Sequence, residues 1–174
     1  MITSCQISSP YHLFNLNVYY DLFFSINLKL GTDLNRQWKL PGKSSHPTVY
    51  TLKHFMYLMT KIRQVRMYVD LHGHSRKQNV FMYGCDDKKK SKPLISAFPK
   101  FFSRHSVGEK YVNFSDCSFH VRKGRESTAR VVVSRDLNVT LSYTLEASFC
   151  GPNYGPYQVR FQIIVLDVFL SLFI

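Results

Sequence analysis

Residues 65–72, VRMYVDLH, constrain the chain most: they are short, rich in β-formers and apolar enough for an inner strand. They run straight into the polar cluster HGHSRK. In open α/β sheets, ligands gather at the ends of such strands. The flanking segments alternate in kind. Upstream, TVYTLKHFMYLMTKIRQ sets Val49, Leu52, Phe55, Met56 and Met59 at helical spacing, and His46-Pro47 suits a helix start. Downstream come the strand NVFMYGC and the lysine-rich turn DDKKKSK, then PLISAFPKFFSRHS as an amphipathic helix interrupted by Pro99. CSFHVRK reads as a strand, ESTARVVVSRDL as a helix despite its three adjacent valines, and LSYTLEASFC as a strand. Strands alternating with helices predict an α/β sheet. The opening YHLFNLNVYYDLFFSINLKL has no clear period, and GTDLNRQWKLPGKSSHP carries the Gly, Pro and Ser of a loop.

The 174 residues, 45% of them hydrophobic, suffice for one packed domain and exclude disorder throughout. The formal charge of +12 favours an acidic partner. Residues 61–135 carry almost all of it, with seventeen Lys and Arg against six Asp and Glu. Cys5, Cys85, Cys117 and Cys150 form no C-x-x-C pair and no dense framework, which predicts reduced thiols in the cytosol. No signal peptide is expected. The apolar run FQIIVLDVFLSLFI at the end is shorter than a spanning helix and contains Asp167, so no membrane anchor is expected either.

Few residues promise chemistry. His72 and His74 close the inner strand and are expected to point to opposite faces, so that at most one enters a given site; an ordinary hydrogen-bonded histidine is the competing reading. Glu146, in an otherwise apolar strand, is either a compensated carboxylate suited to general-base work or an edge-strand acid facing solvent. Asn35-Arg36 offers an amide beside a guanidinium fork, which suits a carboxylate. Arg130 and Arg135 either charge a pocket or decorate a solvated face.

In combination and in order, GTDLNRQW, HPTVY, VDLHGHSRKQNVFMYGC, TARVVV and YTLEASFCG resemble the cytosolic carboxypeptidase family, within the zinc carboxypeptidase superfamily. The resemblance covers about residues 31–157, as the C-terminal part of a catalytic domain, with 1–30 and 158–174 unassigned. It implies an incomplete zinc-carboxypeptidase-like fold, a mixed central sheet flanked by helices. It also implies zinc, a cytosolic enzyme, and removal of C-terminal residues, mainly glutamate from acidic tails such as those of tubulin. His72 then matches the third zinc ligand and Glu146 the catalytic base. Asn35 and Arg36 match the pair that holds the substrate's terminal carboxylate, and Arg130 falls near the pocket for an acidic side chain.

The family's first two ligands come from an H-P-G-E type motif upstream of the Asn-Arg pair, and residues 1–30 contain none: three positions after His12 stands Asn15. Ile26 occupies the place of the family's carbonyl-polarising arginine. A catalytic zinc needs three protein ligands, so a truncated and inactive form is expected. The alternative is a non-catalytic binder that grips acidic tails through Arg36, Arg76, Lys77 and Arg130. No motif supports nucleic-acid binding.

Overall fold

The computed structural model describes residues 32–86, 92–105 and 108–153. The segments left unassigned from the sequence, and most of the lysine-rich turn, lie outside them.

Three strands form one sheet in the order β1-β3-β2, from β1 (Met67–His74), β2 (Val80–Tyr83) and β3 (Leu141–Ser148). β1 runs parallel to β3 and β2 antiparallel to it. The sheet is thus mixed, as expected. β3 is central, which removes the reading of Glu146 as an edge-strand acid. Among the described residues β1 has no strand on its outer side.

Period-two alternation divides the sheet into two unlike faces. On one, Val69, Leu71, Val80, Met82, Leu145 and Ala147 form the core with Phe98 and Phe102. Those two rings come from α2 (Lys92–Phe102), where they stack 6.0 Å apart, and the buried Tyr143 hydroxyl donates to the Ile95 carbonyl at 2.8 Å. Pro99 lies within this helix without breaking it. A short helix, α3 (Gly108–Tyr111), follows. The segment expected as the strand CSFHVRK builds no ladder. It makes a single bridge, Ser118 to Tyr83, and helical turns precede it because Asn113 caps the turn Phe114–Asp116.

The other face is polar at one end and covered by α4 (Ala129–Asp136). This helix starts three residues later than its sequence suggests, because the carbonyl of Arg125 accepts the backbone N–H and hydroxyl of Thr128 and holds that stretch in a turn. Its three valines lie buried. α1 (Pro47–Ile62) begins at its proline, as expected, and buries only Val49 and Met56. Lys53 of α1 anchors it by donating to the Trp38 and Lys39 carbonyls and to Asp136 at the end of α4.

Candidate functional site

β1 carries Asp70, His72 and His74 at alternate positions, and its parallel register sets His72 beside Glu146 of β3. Cα partners in a parallel pair share a face, so all four side chains lie together near the C-terminal ends of both strands. The two histidines therefore do not diverge. β1 continues through His74, which pairs with Ser148, and residues two apart in a strand point the same way.

Asp70 was not singled out from the sequence, yet it orients the site. Its Oδ2 lies 2.8 Å from His72 Nε2. A carboxylate only accepts, so Nε2 carries a proton, and in the neutral ring Nδ1 keeps a lone pair for another partner. The available signal was the spacing D-x-H-x-H within one strand. Burial alone would lower the proton affinity of the His72 ring; the charge and hydrogen bond of Asp70, with the charge of Glu146, reverse this and raise it. Burial raises the proton affinity of Glu146, against the opposing charges of His72, His74 and Arg130. Its Oε2 lies 3.9 Å from His74 Nδ1, and its side chain is only 13% exposed. A carboxyl held this way stays protonated to higher pH than usual and returns a proton readily.

The raised affinity of His72 ties folding to pH. Its contribution is fully present below about 6.5, the ordinary value, and fades as pH climbs through the raised one. Asp70→Asn keeps an acceptor for Nε2 but removes the charge that opposes burial. The His72 titration, followed by ring-proton NMR, is expected to move down, and stability to lose part of its pH slope near neutrality. An unmoved titration would show that Asp70 does not control the ring.

Arg130 lies below these residues and is 8% exposed, which excludes the solvated-face reading. Its guanidinium lies 5.4 Å from the centre of the Tyr83 ring, with long hydrogen bonds to the Gly84 carbonyl (3.3 Å) and Thr144 Oγ1 (3.5 Å). No carboxylate among the described residues is within ion-pair distance of it, and two bonds leave most of its five donors for something else. Arg135, its companion in the sequence, is exposed.

Asn35 and Arg36 sit in a 3-10 turn, Leu34–Arg36, capped by Asp33. The structure joins this turn to α4: Asn35 Oδ1 accepts the N–H of Ala129 at 2.9 Å, and Trp38 N–H donates to the Ser127 carbonyl. Half of the Asn35 amide is thus committed to a structural bond. Arg36 lies 3.7 Å from Asp33 and is 29% exposed. Of the other cations considered, Lys77 is taken up by Asp116 at 2.6 Å and covers the Phe81 ring, whereas Arg76 is exposed.

As a metal site the arrangement is partial. His72 has the form of a ligand, with a carboxylate on one nitrogen and the other available. Among the described residues, however, no three His, Cys, Asp or Glu side chains converge on a point where an ion could sit. The residues present do not fit a complete zinc centre.

This sheet, with its polar strand ends and flanking helices, is part of the metallocarboxypeptidase fold. A Pseudomonas aeruginosa metallo-carboxypeptidase, solved with (2-guanidinoethylmercapto)succinic acid, matches with a TM-score of 0.57 and 22% identity over 81% of this chain and 38% of its own. A metallo-carboxypeptidase from Burkholderia cenocepacia matches with a TM-score of 0.54 and 19% identity over 68% of this chain and 30% of its own. No family model matches the sequence. Individual sequences do: the chain is 41% identical over 149 residues to human cytosolic carboxypeptidase 4 and 40% identical over 143 residues to cytosolic carboxypeptidase 1 of Gallus gallus. Over these residues it is similar to the cytosolic carboxypeptidases. The matches cover 77% and 74% of this chain but only 13% and 11% of those relatives' lengths. No helix among the described residues is long and apolar enough to cross a membrane.

Proposed function

We propose that this chain carries one side of a metallocarboxypeptidase site, acting on acidic C-terminal tails of the tubulin kind in the cytosol. Glu146 is its general base, His72 one zinc ligand, Asn35 and Arg36 the grip on the terminal carboxylate, and Arg130 the partner of an acidic side chain. The observation that carries this reading is the facing pair His72 and Glu146, set at the ends of parallel strands above a buried guanidinium with spare donors. A bound zinc supplies such enzymes with a polarised carbonyl and an acidified water. Glu146, its proton affinity raised by burial, is suited to take a proton from water and return it to a leaving amine. Arg130 matches a carboxylate in shape and charge.

Among the described residues the donor set is incomplete. A polypeptide of this sequence alone is proposed to be a truncated, inactive form that neither holds zinc at equimolar metal nor releases glutamate from a polyglutamate peptide. The lack of a converging donor set among the described residues also favours the second reading, a non-catalytic binder of acidic tails. One experiment separates them: peptide binding and free glutamate are measured with added zinc for this chain and for Glu146→Gln. Binding without release supports the binder. Release abolished by the substitution establishes an enzyme whose ligands include residues outside those described. Neither binding nor release by folded protein would overturn both readings.

A further inference from the structure

Lys53 and Lys77 are engaged by Asp136 and Asp116, but Arg122, Lys123 and Arg125 are exposed and, among the described residues, enter no ion pair. They are nonetheless held in place. The Arg125 N–H donates to the Arg122 carbonyl at 3.1 Å, closing a four-residue turn. Gly124, at φ +81°, occupies the third position, where a type II turn needs a residue free of a Cβ penalty. The Arg125 carbonyl then accepts both the N–H and the hydroxyl of Thr128, at 3.2 and 2.8 Å. Thr128 leads directly into Ala129 and Arg130, and the turn of Asn35 and Arg36 is bonded to the same stretch. The three cations are thus presented by a fixed turn beside the residues assigned to a substrate's C-terminus. The charge of Arg125 reaches Arg130, where it adds to the lowering of proton affinity caused mainly by burial.

We propose that the turn Arg122–Arg125 is a docking strip for an acidic polypeptide. It meets the acidic residues upstream of the C-terminal one, while Arg130 and the Asn35-Arg36 turn meet the terminus itself. This rests on the reading of the site given above. A pre-ordered turn avoids much of the entropic cost of fixing long basic side chains on a ligand. Its three cations, clustered on one exposed turn, complement a run of carboxylates rather than a single one.

The test uses the full chain and two fluorescent peptides at low salt, followed by anisotropy: a run of about eight glutamates, and a Gly-Ser peptide whose one acidic side chain is its terminal glutamate. In the triple variant Arg122→Gln, Lys123→Gln, Arg125→Gln, the polyglutamate peptide is expected to bind roughly ten-fold more weakly, and the single-glutamate peptide to change by less than about two-fold. Thermal melting should be unchanged, because among the described residues the substituted side chains enter no ion pair. Equal weakening of both peptides, or of neither, would overturn the strip. Binding of an oligothymidylate more tightly than polyglutamate, lost in the same variant, would overturn it in favour of a phosphate polymer. If the wild-type chain binds polyglutamate through the strip but ignores the single-glutamate peptide, the strip stands and the terminal pocket fails.

Discussion

Arg130→Met is expected to weaken binding of a glutamate-ended peptide about thirty-fold or more while leaving folding stability within about 1 kcal/mol of the parent. The first figure follows from truncating one partner of a desolvated charge pair, which costs about 2–5 kcal/mol. The second comes from opposing effects of similar size. A guanidinium 8% exposed with no carboxylate at ion-pair distance carries a desolvation cost of several kcal/mol. Against it stand a ring contact with Tyr83 and two long hydrogen bonds, which contribute about 1 kcal/mol or so each. Methionine fills a similar volume, packs on Tyr83 and removes the buried charge. Peptide anisotropy and urea melts read the two quantities separately. A loss of 3 kcal/mol or more in stability, with binding unaltered, would make Arg130 a structural strut and remove it from the site.

The second large effect lies on the opposite face of the sheet. Phe102 is 1% exposed, stacked on Phe98, and packed against Val80, Met82, Leu145 and Ala147. Phe102→Ala deletes a ring from the layer joining α2 to β2 and β3, and a buried phenylalanine truncated in this way costs about 3–5 kcal/mol. Domains of this size have about 5–15 kcal/mol in total, so the variant is expected to lose a large share of its stability. Its urea midpoint should fall sharply, and Ile95→Val, in the same helix, should cost only about 1 kcal/mol. Equal midpoints for Phe102→Ala and the parent would mean that α2 does not seal the sheet.

The two substitutions mark how far the sequence could be read. The alternation of elements was legible because each depends on local periodicity. Val49, Leu52 and Met56 declare α1 at helical spacing, Pro47 its start, and the apolar runs of VFMY and LSYTLEAS their strands. The candidate site residues His72, Glu146 and Arg130 were visible too, because they stand out by type against apolar neighbours and sit in short motifs that resemble a known family.

Local pattern failed where a second strand or a distant loop decides the outcome. A strand edge binds whatever register its partner offers, and a slip of one residue turns every side chain to the other face. Only the ladder between β1 and β3 therefore shows that Asp70, His72 and His74 share a face with Glu146, and that β1 continues far enough to carry His74. CSFHVRK has the composition of a strand but forms only one bridge, with backbone hydrogen bonds at Ser118 and Phe119. Arg130 could equally have faced water on its own helix. Its burial depends on Tyr83, Gly84 and Thr144, brought beneath α4 by the sheet. Asn35 meets Ala129 across 94 positions of sequence, a contact set by tertiary closure. The sequence by itself determined which residues are candidates for chemistry, Asp70 apart, and which segments coil or extend. The tertiary structure alone decided which of those residues face one another, because facing depends on register and packing between segments far apart in the chain.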